Sequence, residues 1–117
     1  MSLARGNIVL ARLNPNQGAE IGKIRPVIVL TQTALIEAGL PMIFVIPLST
    51  QYWPELKSLR VAIAPRERLL KTSYAVLEQA RSIDKSRIEN SVLTSLTQSE
   101  IKEIETKFSM LTGINAP

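Results

Sequence analysis

Short apolar runs separated by turn formers occupy the first three quarters of the chain. Asn7 to Leu13 (NIVLARL) is rich in apolar and branched residues, and Asn14-Pro15-Asn16-Gln17-Gly18 closes it with turn chemistry, which predicts a strand and then a loop. Pro26 to Leu30 (PVIVL) and Met42 to Pro47 (MIFVIP) are continuously apolar, as strands are when they are buried on both faces or line a small barrel. Between them Ala34 to Ala38 predicts a helical turn that Gly39 stops. Leu59 to Ala64 (LRVAIA) predicts a strand with Val61 and Ile63 inward and Arg60 outward, and Ser73 to Leu77 and Arg81 to Ile83 predict two more. Up to this point the pattern is all-β.

The period changes near the end. Thr97-Gln98-Ser99-Glu100 is a capping box, which starts a helix, and Ile101, Ile104, Phe108 and Leu111 then recur at three- and four-residue spacing. Gly113 supplies its stop. One helix therefore lays an apolar stripe on the strands. With no internal repeat, low-complexity tract or linker, residues 1–117 read as one domain, and 117 residues at 45% hydrophobic content suffice for one core. No apolar run approaches the roughly 20 residues of a membrane-crossing helix, so no membrane partner is expected. Met1 to Gly6 shows no export signal, and a cytoplasmic protein is expected.

Composition then narrows the chemistry. The chain has no Cys and no His, which excludes disulfides, thiol catalysis, histidine-thiolate metal sites, a Ser-His-Asp triad and a two-histidine ribonuclease. Any catalysis must run on Arg, Lys, carboxylates and hydroxyls, and no cofactor is implied. The net charge of +4 lies entirely in the first 84 residues, because the remainder balances Lys85, Arg87, Lys102 and Lys107 against Glu89, Glu100, Glu103 and Glu105. A basic body beside a neutral tail suits a polyanion such as nucleic acid, or an acidic protein partner.

Three polar clusters stand out. Asn16 to Pro26 carries Gly18 and Gly22, which let backbone approach a ligand closely, together with Glu20, Lys23 and Arg25. Its plain reading is a solvated hairpin loop. Arg25, however, immediately precedes a stiff proline-led strand, where its fork can be aimed bidentately at a phosphate. The second cluster, Pro47 to Pro54, sets the hydroxyls of Ser49 and Thr50 at a strand end, followed by Gln51, Tyr52 and Trp53. Those aromatics either stack on unpaired bases or pack on the core, Trp53 as its cap. The third, Glu78 to Arg87, holds Glu78, Gln79, Arg81, Asp84 and Arg87, either a surface network or an extension of the same face.

Taken in order, Arg5-Gly6-Asn7-Ile8-Val9, the Gly18 to Val27 element (G-x-E-x-G-x-x-R-P), Val45-Ile46-Pro47-Leu48-Ser49-Thr50 and the Glu78 to Arg87 element (Q-x-R-S-I-D-K-x-R) resemble the MazF/PemK toxins of bacterial toxin-antitoxin pairs over almost the whole chain. The resemblance implies a mainly β, SH3-like barrel of short antiparallel strands with a C-terminal helix, the fold of the MazF, CcdB and Kid toxins, working as a homodimer. It implies a metal-independent, sequence-specific endoribonuclease that cuts single-stranded RNA through an arginine and a hydroxyl. Residue by residue, the family's arginine before proline falls on Arg25, its loop acid on Glu20 and its threonine after the third strand on Ser49, with Thr50 beside it. The chain departs from the family at Ala19, where serine is frequent, and at Val76 and Glu78, where some members carry an arginine and an aspartate.

The implied chemistry is attack of the RNA 2'-OH on the adjacent phosphorus, leaving a 2',3'-cyclic phosphate. Arg25 and Ser49 or Thr50 would stabilise the phosphoryl oxygens, and Glu20 or Glu78 would take the proton. Lys23, Arg25, Arg81 and Arg87 would face phosphates, Tyr52 and Trp53 would stack on bases, and Gln51 and Gln79 would join them in binding the RNA. An antitoxin with an acidic segment would occupy the same basic groove. Two alternatives remain open: a gyrase-binding toxin of the same fold acting through Ile101 to Pro117, and a decayed toxin that keeps only antitoxin binding.

Overall fold

A computed structural model describes residues 2–114; Asn115-Ala116-Pro117, the end of the segment considered for gyrase binding, lies outside the described residues. Seven strands form: β1 (Asn7–Arg12), β2 (Ile24–Val29), β3 (Met42–Ser49), β4 (Arg60–Ile63), β5 (Ser73–Val76), β6 (Arg81–Asp84) and β7 (Ile88–Ser95). Two α-helices, α1 (Thr33–Glu37) and α2 (Gln98–Thr112), complete the regular elements together with short 3-10 turns.

All strand pairings are antiparallel, in the order β4-β5-β3-β2-β1-β7, with β6 also on β3. Strand β3 is the spine. One of its edges pairs with β2 over Val45 to Pro47; the other pairs first with β6 over Met42 to Val45 and then with β5 over Leu48 and Ser49. From Ile43 to Leu48 its side chains of both parities are buried or half-buried, so both faces are covered, which is why its sequence is continuously apolar. Ile43 and Val45 enter one core cluster with Val9, Val27 and Val29; Ile46 and Leu48 enter the other with Ile8, Ile28 and Ile104 of α2.

The ladders end at β4 and β7, and the β4–β5 loop bridges them: the Arg68 N–H donates to Leu93 O at 3.1 Å, and Arg66 Nη2 donates to Ser95 O at 2.8 Å. The result is the expected mainly β, barrel-like fold with a C-terminal helix. That helix starts and stops where the sequence places its signals. The Glu100 N–H donates to Thr97 Oγ1 at 3.1 Å, the Thr97 N–H donates to Glu100 Oε1 at 2.8 Å, and Gly113 is left-handed at φ 75°. No helix among the described residues is long and apolar enough to cross a membrane.

Three details differ from expectation. Strand β7 went unpredicted because Glu89, Asn90 and Ser91 dilute its apolar residues and because its register on β1 shifts twice, which breaks the alternation. Along the α2 stripe Ile104 is buried, whereas Ile101 and Phe108 are half-buried and Leu111 is 38% exposed. Arg60 does lie opposite Val61 and Ile63 on its strand, but it is not solvated: only 6% of it is exposed.

Candidate functional site

The β1–β2 loop is held by its own side chains. The Lys23 N–H donates to Asn14 Oδ1 at 2.9 Å, Asn16 Nδ2 to Glu20 O at 3.2 Å, and the Gln17 N–H to Glu20 Oε1 at 2.6 Å. Gly22 is required by space, since a Cβ there would collide with the side chains of both Asn14 and Asn16. Gly18 is required by conformation, at φ 59°. Gln79 then pins the loop to the barrel from a 3-10 turn after β5. Its Oε1 accepts the Ile21 N–H at 2.6 Å and its Nε2 donates to Ala19 O at 2.9 Å.

This frame sets one wall of a cleft of about 250 Å³, lined by Ile21, Arg25, Ser49, Thr50, Gln51, Trp53, Arg60, Val76 and Gln79. The ladder between β2 and β3 reaches only from Val29 to Val27, so Arg25 and the Ser49-Thr50 pair emerge just beyond it. Arg25 Nε donates to Gly22 O at 3.4 Å, and among the described residues no carboxylate pairs with its guanidinium. Ser49 Oγ accepts the Gln51 N–H at 3.1 Å, which leaves its own O–H as a donor. A half-buried guanidinium with no carboxylate partner among the described residues, set beside two hydroxyls, has the chemistry to take an anion.

The predicted residues thus divide among four places. Arg25, Ser49, Thr50, Gln51, Trp53 and Gln79 share the cleft, with Gln79's amide already engaged by the loop. Glu20 and Glu78 do not line it; they border a neighbouring hollow with Ala19, Gln79, Ala80 and Arg81. Lys23 and Arg87 lie in another with Arg12 and Asn14. Tyr52 faces a fourth, stacked on Tyr74 with ring centroids 4.8 Å apart, beside Lys57 and Lys107. Neither aromatic caps the core, since Trp53 is 50% and Tyr52 46% exposed.

Asp84 caps the 3-10 turn Lys85–Arg87 by accepting the Ser86 N–H at 2.9 Å. Hydrogen bonds from Ser86, with the Arg87 charge as a smaller contribution, hold its carboxyl below the ordinary value.

Residues 4–111 match the family described as PemK-like, MazF-like toxin of type II toxin-antitoxin system. The chain belongs to that family. Endoribonuclease MazF of Staphylococcus epidermidis is 31% identical over 114 residues, which cover 97% of this chain and 93% of that protein. Among solved structures, MazF of Deinococcus radiodurans superposes with a TM-score of 0.79 at 22% identity, covering 97% of this chain and 99% of that one. An endoribonuclease in complex with its cognate antitoxin, from a mycobacterial species, gives 0.77 at 17% identity, covering 98% and 99%. These structural likenesses establish the toxin fold.

One charged member of the cleft escaped the sequence reading. Alternation predicts an outward Arg60 and carries no sign that the face opposite Val61 is covered. The available signal was the single acidic residue Glu78 within the Ser73 to Gln79 stretch, where β4 and β5 pair and set Arg60 opposite Val76.

Proposed function

We propose that this protein is the toxin of a type II toxin-antitoxin pair and a metal-independent endoribonuclease that cuts single-stranded RNA by internal transesterification. The 2'-oxygen bonds to phosphorus as the bond to the 5'-oxygen breaks; the 2'-hydroxyl gives up its proton and the departing oxygen gains one. Negative charge grows on the nonbridging oxygens. Arg25, with a hydroxyl donor from Ser49 or Thr50, is placed to stabilise that charge in a partly enclosed cleft, where such preorganised donors act most strongly. Trp53, half exposed at the same cleft, offers a face for an unpaired base.

The observation that carries the reading is the Arg25 guanidinium, beside two hydroxyls and with no carboxylate partner among the described residues. It supports anion chemistry in a chain that has no imidazole and no thiol. The working unit is a homodimer in the cytoplasm, and the antitoxin blocks the cleft with an acidic segment. Incubation with a long single-stranded RNA in EDTA tests the reading. Fragments ending in 2',3'-cyclic phosphate are expected, and matched DNA, lacking the nucleophile, stays whole. Intact RNA would leave the gyrase-binding and decayed-toxin alternatives.

A further inference from the structure

Arg60 is the one charged side chain among the buried polar residues described, the others being Thr31, Ser73 and Thr94. Burying a guanidinium is costly unless its charge and its donors are met. Its end-on edge is met: Nη1 donates to Glu78 Oε1 at 2.6 Å and to Leu59 O at 3.0 Å, and Nη2 donates to Glu78 Oε2 at 3.0 Å. Its side edge is not. Nε is buried with no acceptor among the described residues, and the second Nη2 hydrogen has none either. Of five donors, three are used. The two left over form the fork that matches two oxygens of one phosphate.

The surroundings fit that ligand. Arg60 lines the cleft with Arg25 and also the adjoining pocket of Tyr52, Tyr74, Lys57, Lys107 and Glu103, where Glu103 is paired with Lys107 at 2.9 Å; among the described residues no carboxylate lines the cleft itself. Lys107 Nζ donates to Arg60 O at 2.9 Å, which fixes the strand end that carries the guanidinium. We infer that Arg60 is the second phosphate-binding guanidinium of the cleft, its side edge taking a phosphate of the bound RNA strand, and that Glu78 is its positioning residue. This rests on the ribonuclease reading above. It gives Glu78 a task other than proton acceptor, since both its oxygens already receive the Arg60 fork.

The test uses the full chain, a cleavable RNA and a 2'-O-methyl RNA of the same sequence that binds without reacting. Replacing the whole pair, Arg60→Met with Glu78→Met, leaves no orphaned charge and should keep the protein folded. The slope of log affinity against log salt should then fall by about 0.7, the share of one phosphate on a single strand. Cleavage should slow at least tenfold. Arg60→Lys should restore the slope but not the affinity, and Glu78→Gln should weaken binding with the slope unchanged. A folded double variant with wild-type slope and rate would make the pair merely structural and overturn the inference; should that variant not fold, Arg60→Lys with wild-type affinity would do so. Wild-type protein that neither binds nor cuts RNA would overturn the ribonuclease reading, and the inference with it.

Discussion

Arg25 and Ser49 stand opposite one another in the register that β2 and β3 would keep if their ladder ran two residues further. The pairs Val29–Val45, Ile28–Ile46 and Val27–Pro47 set that register. Beyond them β2 and β3 no longer pair, β3 continuing on β5 along its other edge, and Arg25 and Ser49 both line the cleft. Arg25→Ala should therefore cost at least about 100-fold in cleavage rate, as does loss of one preorganised donor to a developing oxyanion. Since Arg25 has only its long bond to Gly22 O, the melting temperature should stay within a degree or two of wild type. Single-turnover cleavage beside a thermal melt checks both. Rates near wild type in the folded variant would remove Arg25 from the chemistry.

Gln79 should matter through the loop it grips. Gln79→Ala gives up the bonds to Ile21 N–H and Ala19 O and frees the segment that leads into Arg25. Misplacement by about 1 Å can cost up to about 100-fold in rate. Cleavage should fall by about that factor while binding of short RNA falls much less. A loss confined to binding would show instead that the amide reads a base.

Gly22→Ala tests the loop's packing. The added Cβ fits only if the Asn14 and Asn16 side chains swing aside, which sacrifices the bonds to Lys23 N–H and Glu20 O. Each bond is worth about 1 kcal/mol. A destabilisation of about 1–2 kcal/mol is expected, measured by denaturant titration.

Asp84 makes a pH-dependent contribution whose sign is fixed. Its carboxyl titrates lower in the folded chain than its ordinary 3.8, so the stabilisation is complete above that value and is lost as acidity rises through the folded value. Asp84→Asn keeps an acceptor for the Ser86 N–H but cannot titrate. The stability gap between wild type and this variant should thus narrow as pH is lowered below about 4. A gap that widened instead would reverse the assignment.

Much of this was legible in the residues themselves. The capping box at Thr97, the glycine stop at Gly113 and the all-apolar β3 are local signals, and each appears where the sequence places it. Arg25 next to Ser49 and Thr50 was legible too, but only through family resemblance, because nothing local tells that two segments 24 residues apart meet beyond a ladder's end. Arg60 and Glu78 were not legible as a pair. Their meeting depends on a hairpin register and on the turn after β5, and a lone arginine in an alternating strand has the signature of a solvated one. The same limit hid the spread of the basic residues into separate hollows, which is a matter of barrel curvature.

The Leu13 to Lys23 crossing has a last implication. Apart from Leu13 N–H bonding to Lys23 O at its root, its hydrogen bonds to the rest of the chain among the described residues are two from the Gln79 amide, one from Arg87 Nη1 to Asn14 O and the long one from Arg25 Nε to Gly22 O, while most of its residues face solvent. Segments so lightly tethered open at a small fraction of the global unfolding free energy. On gentle warming the protein would lose its cutting power while its circular dichroism still read fully native, and would regain it on cooling.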